Sequence, residues 1–132
     1  NISIPFYRDI LGLELMDVAD RDSVFSEKVT GIKGARLTIA YFKTKNCSIE
    51  LIQYLSPKGK YIDTTTNNIG SSHVCFVVSD FKKNIDNLKS NGVEFASKDN
   101  CIVPAGPNKG KAVAYFHDPD RNTIEFISNK II

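Results

Sequence analysis

The chain has 132 residues, 42% of them hydrophobic and 24% charged, and a formal net charge of +2. These values are typical of a soluble globular domain that can bury a core of its own. Lys and Arg are scattered among Asp and Glu, which argues against nucleic acid as a partner, and no apolar run reaches the roughly 18–20 residues that a membrane span needs.

The predicted elements are two short helices and a series of strands. The first helix spans 3–11 and closes at Gly12, and the second follows Asp80 and closes at Gly92. The strands are rich in β-branched and aromatic residues and bounded by turn formers, and they span 13–18, 36–43, 48–55, 72–79, 93–97, 111–116 and 123–128. The segment 118–122 is the clearest hairpin turn among them.

Two short segments occur twice in the chain. Gly12-Leu13-Glu14-Leu15 corresponds to Gly92-Val93-Glu94-Phe95 at an offset of 80 residues, and Ile49-Glu50-Leu51-Ile52 corresponds to Ile124-Glu125-Phe126-Ile127 at an offset of 75. Similar offsets indicate one structural unit used twice.

The repeat predicts a single domain of two modules, 1–62 and 71–132, joined by a polar linker over 63–70. The second module reads strand, helix, strand, strand, strand, whereas the first begins with its helix. The offset places the corresponding first strand of module one upstream of Asn1.

Three residues combine into a candidate metal site. Glu50 and Glu125 occupy equivalent positions of the repeat, each between apolar residues of a strand, and His73 begins the second module. Either glutamate alone is typical of the solvent face of an antiparallel sheet, and a lone strand histidine is typically structural. One imidazole with two carboxylates is, however, a common inner shell for a divalent ion with open positions.

Cysteine usage predicts a reducing, cytoplasmic location. Cys47, Cys75 and Cys101 are odd in number, widely spaced and form no CxxC pair, which argues against a disulfide framework and a thiolate zinc site. Cys75 is predicted to lie on the same strand face as His73, because the two residues are two positions apart. A buried cysteine that fills a small space in the core is the ordinary interpretation of such a position.

Four landmarks, in order, resemble the glyoxalase, bleomycin-resistance and extradiol-dioxygenase superfamily, also called vicinal oxygen chelate proteins. They are 5–15, 49–54, 72–80 and 115–127, the last containing Asp118-Pro119-Asp120-Arg121-Asn122 and Ile124-Glu125-Phe126. The resemblance implies an α+β fold of two βαβββ modules forming a cupped mixed sheet around a central cavity. Within this superfamily, the sequence most resembles lactoylglutathione lyase-related proteins of the glyoxalase I type.

The resemblance also implies a function. Glu50, His73 and Glu125 match metal-ligand positions of the glyoxalase I-like members, and a fourth ligand, usually His or Gln, belongs to the strand expected upstream of Asn1. The ion that the resemblance implies is Ni²⁺, Co²⁺, Zn²⁺, Mn²⁺ or Fe²⁺, because the ligands are oxygens and imidazole without thiolate. Such an ion would bind two adjacent substrate oxygens, and Glu125, or Glu50 as second choice, would move a proton via an enediolate. The chain is thus expected to be a lyase or isomerase.

Two other functions remain open at this point: a metal-free small-molecule binding protein of the bleomycin-resistance type, and an extradiol-type dioxygenase with an altered ligand set. Arg36 is a candidate for binding a substrate carboxylate or phosphate, although solvent exposure is its ordinary interpretation. His117, beside the 118–122 turn, is expected to be solvent-exposed or to stabilise the turn. A homodimer is the expected assembly.

Overall fold

The computed structural model describes residues 2–132 and divides into two compact units, Asn1–Ile62 and Asp63–Ile132. Unit one begins with a helix, α1, that is α-helical over Ser3–Pro5 and continues as a π-helical stretch over Phe6–Ile10. Its other elements are β1 (Glu14–Arg21), α2 (Ser23–Thr30), β2 (Arg36–Lys43) and β3 (Ser48–Ser56). The strands form one antiparallel sheet in the order β1-β2-β3.

Unit two contains one helix and a mixed sheet. Its elements are β4 (His73–Val78), α3 (Phe81–Ser90), β5 (Cys101–Ile102), β6 (Lys111–His117) and β7 (Thr123–Ile131). The sheet order is β4-β7-β6-β5, with β4 parallel to β7 and the other pairs antiparallel. Among residues 2–62, no strand takes the position beside β3 that β4 takes beside β7.

These elements confirm the α+β class and most of the predicted segments. Both predicted helices close at glycines with positive φ, 72° at Gly12 and 69° at Gly92, a conformation that side chains with a Cβ rarely adopt. The predicted 118–122 turn joins β6 to β7, and the amide of Asp118 donates to the carbonyl of Asn122 at 3.0 Å.

Three differences from the sequence prediction concern local pairing and capping. Helix α2 was not predicted, yet Asp22 caps it by accepting from the amide of Phe25 at 3.0 Å, and Gly31 ends it. The strand expected over 93–97 is reduced to a single bridge between Phe95 and Phe116. The two-residue β5, also unpredicted, pairs with Ala112 and Val113 on the same edge of β6.

Aromatic side chains contribute to the core of each unit. In unit one the rings of Tyr7 and Phe42 lie 5.8 Å apart, and both side chains are buried. In unit two Phe126 packs against Phe116 at 4.8 Å and Phe76 at 6.2 Å, on the face opposite His73. Helix α3 contacts β7 and buries the stripe Phe81, Ile85 and Leu88. In unit two the apolar face of the sheet leaves the opposite face, that of His73, free to carry polar side chains.

The segment between the two predicted modules is held by side-chain hydrogen bonds. Residues 63–70 carry no helix or strand. The Thr64 hydroxyl donates to the carbonyl of Arg121 at 2.9 Å, and the Ser71 hydroxyl donates to the carbonyl of Thr64 at 3.0 Å.

Within residues 2–132, no helix has the length and apolar character that crossing a bilayer requires.

Candidate functional site

The register of unit two places six side chains in two rows on one face of the sheet. Partner residues across β4, β7 and β6 point to the same side because strands alternate. The first row is His73, Thr123 and His117, and the second is Cys75, Glu125 and Tyr115. The predicted shared face of His73 and Cys75 is thereby confirmed.

His73 and Glu125 meet at the centre of this face. Their atoms Nε2 and Oε2 lie 3.0 Å apart, with the side chains 36% and 14% exposed. The contact joins residues 52 positions apart, and the parallel pairing of β4 with β7 brings them together. A mostly buried carboxylate needs such a partner, because burying it alone costs several kcal/mol. The pair can share a proton or jointly hold a cation.

Tyr115 completes the cluster and was not identified from the sequence. Its Oη lies 3.4 Å from His73 Nε2, and the two ring centroids are 5.0 Å apart. Burial, followed by the negative charge of Glu125, raises the pKa of the phenol, so Tyr115 stays a hydrogen-bond donor. The sequence did contain the information needed to find this residue. Residues at equal distances from the centre of the 118–122 turn are paired across β6 and β7, and this rule pairs Tyr115 with Glu125.

Cys75 lies next to Glu125 but is a poor nucleophile. The residue is exposed overall, yet loss of hydration around the thiol and the charge of Glu125 together raise its pKa to about 11. At neutral pH the sulfur is therefore protonated, and the thiolate is the reactive form. This cysteine is not a core filler, contrary to the ordinary interpretation of its sequence context.

His117 differs from the sequence expectation. It is the last residue of β6, beside the 118–122 turn, and its Nδ1 is buried. Thr123, its cross-strand partner, is 2% exposed. Among residues 2–132, neither His117 Nδ1 nor Thr123 Oγ1 has a hydrogen-bond partner. The expectation that His117 is solvent-exposed is wrong for Nδ1, which is buried. The pairing of β6 with β7 places this histidine on the same sheet face as His73.

Unit one repeats part of this arrangement. Glu50 is the cross-strand partner of Tyr41, as Glu125 is of Tyr115. Glu50 is exposed within its strand. Arg36 begins β2, is also exposed and pairs in register with Ser56, at a bulge. The duplication seen in the sequence therefore includes a tyrosine–glutamate pair that the matched segments alone did not contain.

The His73–Glu125 pair fits two neighbouring ligands of one divalent ion. Metal–ligand bonds of about 2.1 Å at right angles place two donor atoms about 3.0 Å apart, which is the separation of Nε2 and Oε2. An imidazole nitrogen and a carboxylate oxygen suit the borderline divalent ions. Within residues 2–132, no group of three or more His, Cys, Asp or Glu side chains is arranged to hold a metal. His73 and Glu125, both in unit two, are therefore the two side chains whose geometry fits a metal ion.

Comparison with known proteins agrees with the sequence resemblance. The model of the Glyoxalase/Bleomycin resistance protein/Dioxygenase superfamily matches residues 2–126. No curated protein sequence matches the chain.

Several solved structures share the fold. A glyoxalase family protein from Bacillus cereus aligns with a TM-score of 0.78 at 22% identity, covering 96% of this chain and 84% of that one. The trypanothione-dependent glyoxalase I of Leishmania major gives 0.60 at 17% identity, with coverages of 96% and 76%. The fosfomycin resistance protein FosX of Listeria monocytogenes gives 0.62 at 16% identity, with coverages of 99% and 84%. At these identities the similarity is one of fold.

Proposed function

The chain belongs to the glyoxalase/bleomycin resistance protein/dioxygenase superfamily, and from that premise we propose that it is a divalent-metal-dependent lyase or isomerase of the glyoxalase type. Its substrate is a small molecule with two adjacent oxygens. The observation that carries the proposal is the 3.0 Å contact between His73 Nε2 and Glu125 Oε2, whose separation and chemistry suit two ligands of one ion.

His73 and Glu125 hold the ion in this proposal, and Glu50, the equivalent of Glu125 in the repeat, is the third ligand that the family resemblance suggests. Nitrogen and oxygen donors without a thiolate suit Ni²⁺, Co²⁺, Zn²⁺, Mn²⁺ or Fe²⁺. When bound, such an ion supplies Lewis-acid stabilisation of negative charge on adjacent substrate oxygens.

The proton transfer falls to a carboxylate of the chain. Glu125 takes a proton from one substrate carbon and returns it to the neighbouring carbon, so that the reaction is an isomerisation with no net oxidation. Its side chain is only 14% exposed, which limits exchange of that proton with water. Glu50, which is exposed, is the second candidate for this role.

Arg36 is the candidate anchor for an anionic substrate group. Its guanidinium is exposed at the start of β2 and makes no side-chain hydrogen bond or ion pair among residues 2–132. A planar guanidinium binds a carboxylate or phosphate through two parallel hydrogen bonds.

A metal-free binding protein of the bleomycin-resistance type is the second candidate. It is favoured by one observation, that no three-ligand group forms among the described residues 2–132. In that case His73 and Glu125 satisfy one another as a hydrogen-bonded pair, and the polar face binds its ligand without an ion.

Metal analysis of the full chain separates the two candidates. We expect purified protein to retain close to one nickel or cobalt ion per chain after loading and desalting, and His73→Ala or Glu125→Gln to lower that occupancy at least tenfold. Glu94→Gln is the matched control, because Glu94 is exposed and pairs only loosely with Arg121 at 3.6 Å. Unchanged occupancy in both site variants would exclude a metal site built on this pair.

We further propose a homodimer in a reducing cytoplasm. The outer edge of β1 has no strand partner among residues 2–62, and open edges favour pairing. All three cysteines are unpaired in the structure. Light scattering after size exclusion tests the assembly, and a monomer at micromolar concentration would contradict it.

A further inference from the structure

Helix α2 exposes its apolar side chains to solvent. Val24, Phe25 and Val29 are 68%, 47% and 66% exposed, whereas Ser26, at 0% exposure, is the residue that the helix buries. A surface helix ordinarily does the reverse, burying apolar side chains and exposing polar ones. Lys28 is exposed between the apolar residues, and we call Val24, Phe25, Lys28 and Val29 the α2 patch.

Hydrogen bonds fix the orientation of α2. The Ser26 hydroxyl donates to the carbonyl of Arg21 at 3.4 Å, and Glu27 Oε1 accepts from the amide of Gly34 at 2.6 Å. These bonds tie the helix to the residues before and after it, and they hold its polar side inward. The exposure of the α2 patch therefore follows from how the helix is anchored.

The side chains of the α2 patch form one continuous surface. Residues three or four positions apart are neighbours on a helix. Val24 therefore adjoins Lys28, and Phe25 adjoins both Lys28 and Val29. The patch is also symmetrical about its own centre, because its two outer residues, both valines, have the same midpoint as its two inner residues, an aromatic and a cation.

This symmetry suits a second copy of the same helix. When two α2 helices lie antiparallel about a two-fold axis through that midpoint, Val24 of each copy faces Val29 of the other. Phe25 of each copy then faces Lys28 of the other. The valines form an apolar pair, and a lysine over an aromatic ring forms a cation–π pair. Both contacts are made twice, which is the defining property of an isologous interface.

Strand β1 extends the apolar surface beyond the helix. A stable interface buries roughly 800 Å² on each partner, more than a helix about 12 Å long supplies. β1 leads directly into α2, and its residues Met16 and Val18 are 56% and 43% exposed. Its outer edge has no strand partner among residues 2–62. The α2 patch therefore adjoins the open edge on which the homodimer was argued.

We infer that the α2 patch is a self-association surface whose occupant is the α2 patch of a second copy, in antiparallel arrangement. This inference rests on the homodimer of the proposed function, for which it names the interface. It requires no metal ion and no ligand.

Charges placed at the outer pair test this arrangement in the full chain. Val24→Lys and Val29→Asp each put two unpaired charges into a symmetrical interface, so we expect each to raise the dimer dissociation constant about tenfold or more in analytical ultracentrifugation. The double variant Val24→Lys/Val29→Asp places opposite charges face to face, and we expect it to dimerise about fivefold more tightly than either single variant. Ile69→Lys, at a fully exposed side chain, is the matched control and should leave the constant unchanged.

The outcomes separate this inference from the homodimer itself. Weakening in both single variants with recovery in the double variant supports the inference, since a folding defect would not be rescued by a second charge. Unchanged dimerisation in the single variants means that a ligand or a different protein covers α2, and it overturns the inference while the homodimer stands. Weakening without recovery overturns the antiparallel pairing. A monomeric wild-type chain at micromolar concentration overturns the homodimer and this inference together, and leaves the metal site standing.

Discussion

Replacing Thr123 by valine should stabilise the protein. Thr123 is 2% exposed, and its Oγ1 has no hydrogen-bond partner among residues 2–132. An unsatisfied buried hydroxyl costs about 1–3 kcal/mol, and valine has nearly the same shape and a strong preference for strands. Discounting for relaxation, we expect the free energy of unfolding to rise by about 1–2 kcal/mol. Urea unfolding with an unchanged m-value is the appropriate measurement.

Thr38→Val is the matched control for this substitution. The Thr38 hydroxyl donates to Asp20 Oδ1 at 2.6 Å, so the same chemical change removes a formed hydrogen bond. We expect it to lower the free energy of unfolding by about 0.5–1.5 kcal/mol. If Thr123→Val is instead destabilising by about as much as Thr38→Val, the Thr123 hydroxyl has a partner, such as a buried water, and the reasoning is refuted.

Two further predictions concern the core and the segment between the predicted modules. Phe116 is 0% exposed and packs on Phe126. We expect Phe116→Ala to lower the free energy of unfolding, measured by chemical denaturation, by about 3–5 kcal/mol. Ile69→Ala, at a fully exposed side chain, is the control and should change it by under about 0.5 kcal/mol. Hydrogen bonds from the Thr65 hydroxyl, the Thr65 amide and Asn68 lower the pKa of Asp63. Their stabilising effect is therefore present above the ordinary carboxyl pKa and is lost as the pH falls through the lower, folded value. NMR titration should show Thr65→Ala moving the pKa of Asp63 upwards, and an unmoved pKa would contradict this assignment.

Local sequence patterns were sufficient to predict those elements whose conformation depends on residues adjacent in the chain. The glycines that close α1 and α3 and the 118–122 turn could be read directly, because each depends on backbone conformations that few residues adopt. Helix α2 was missed because its valines and threonine favour strands, although its Asp22 cap was visible. The strand over 93–97 was overpredicted, since pairing across β6 decides how much of it forms.

Strand alternation let the sequence alone place His73 and Cys75 on one face, and the repeat singled out Glu50 and Glu125. The superfamily and the α+β class were likewise readable from the chain. Only the tertiary structure decided which of these groups meet. The parallel pairing of β4 with β7 sets the 3.0 Å contact of His73 with Glu125, and the β6–β7 register adds Tyr115 and the buried Nδ1 of His117. These contacts join residues far apart in sequence, and their energies depend on register and burial, which no local pattern encodes.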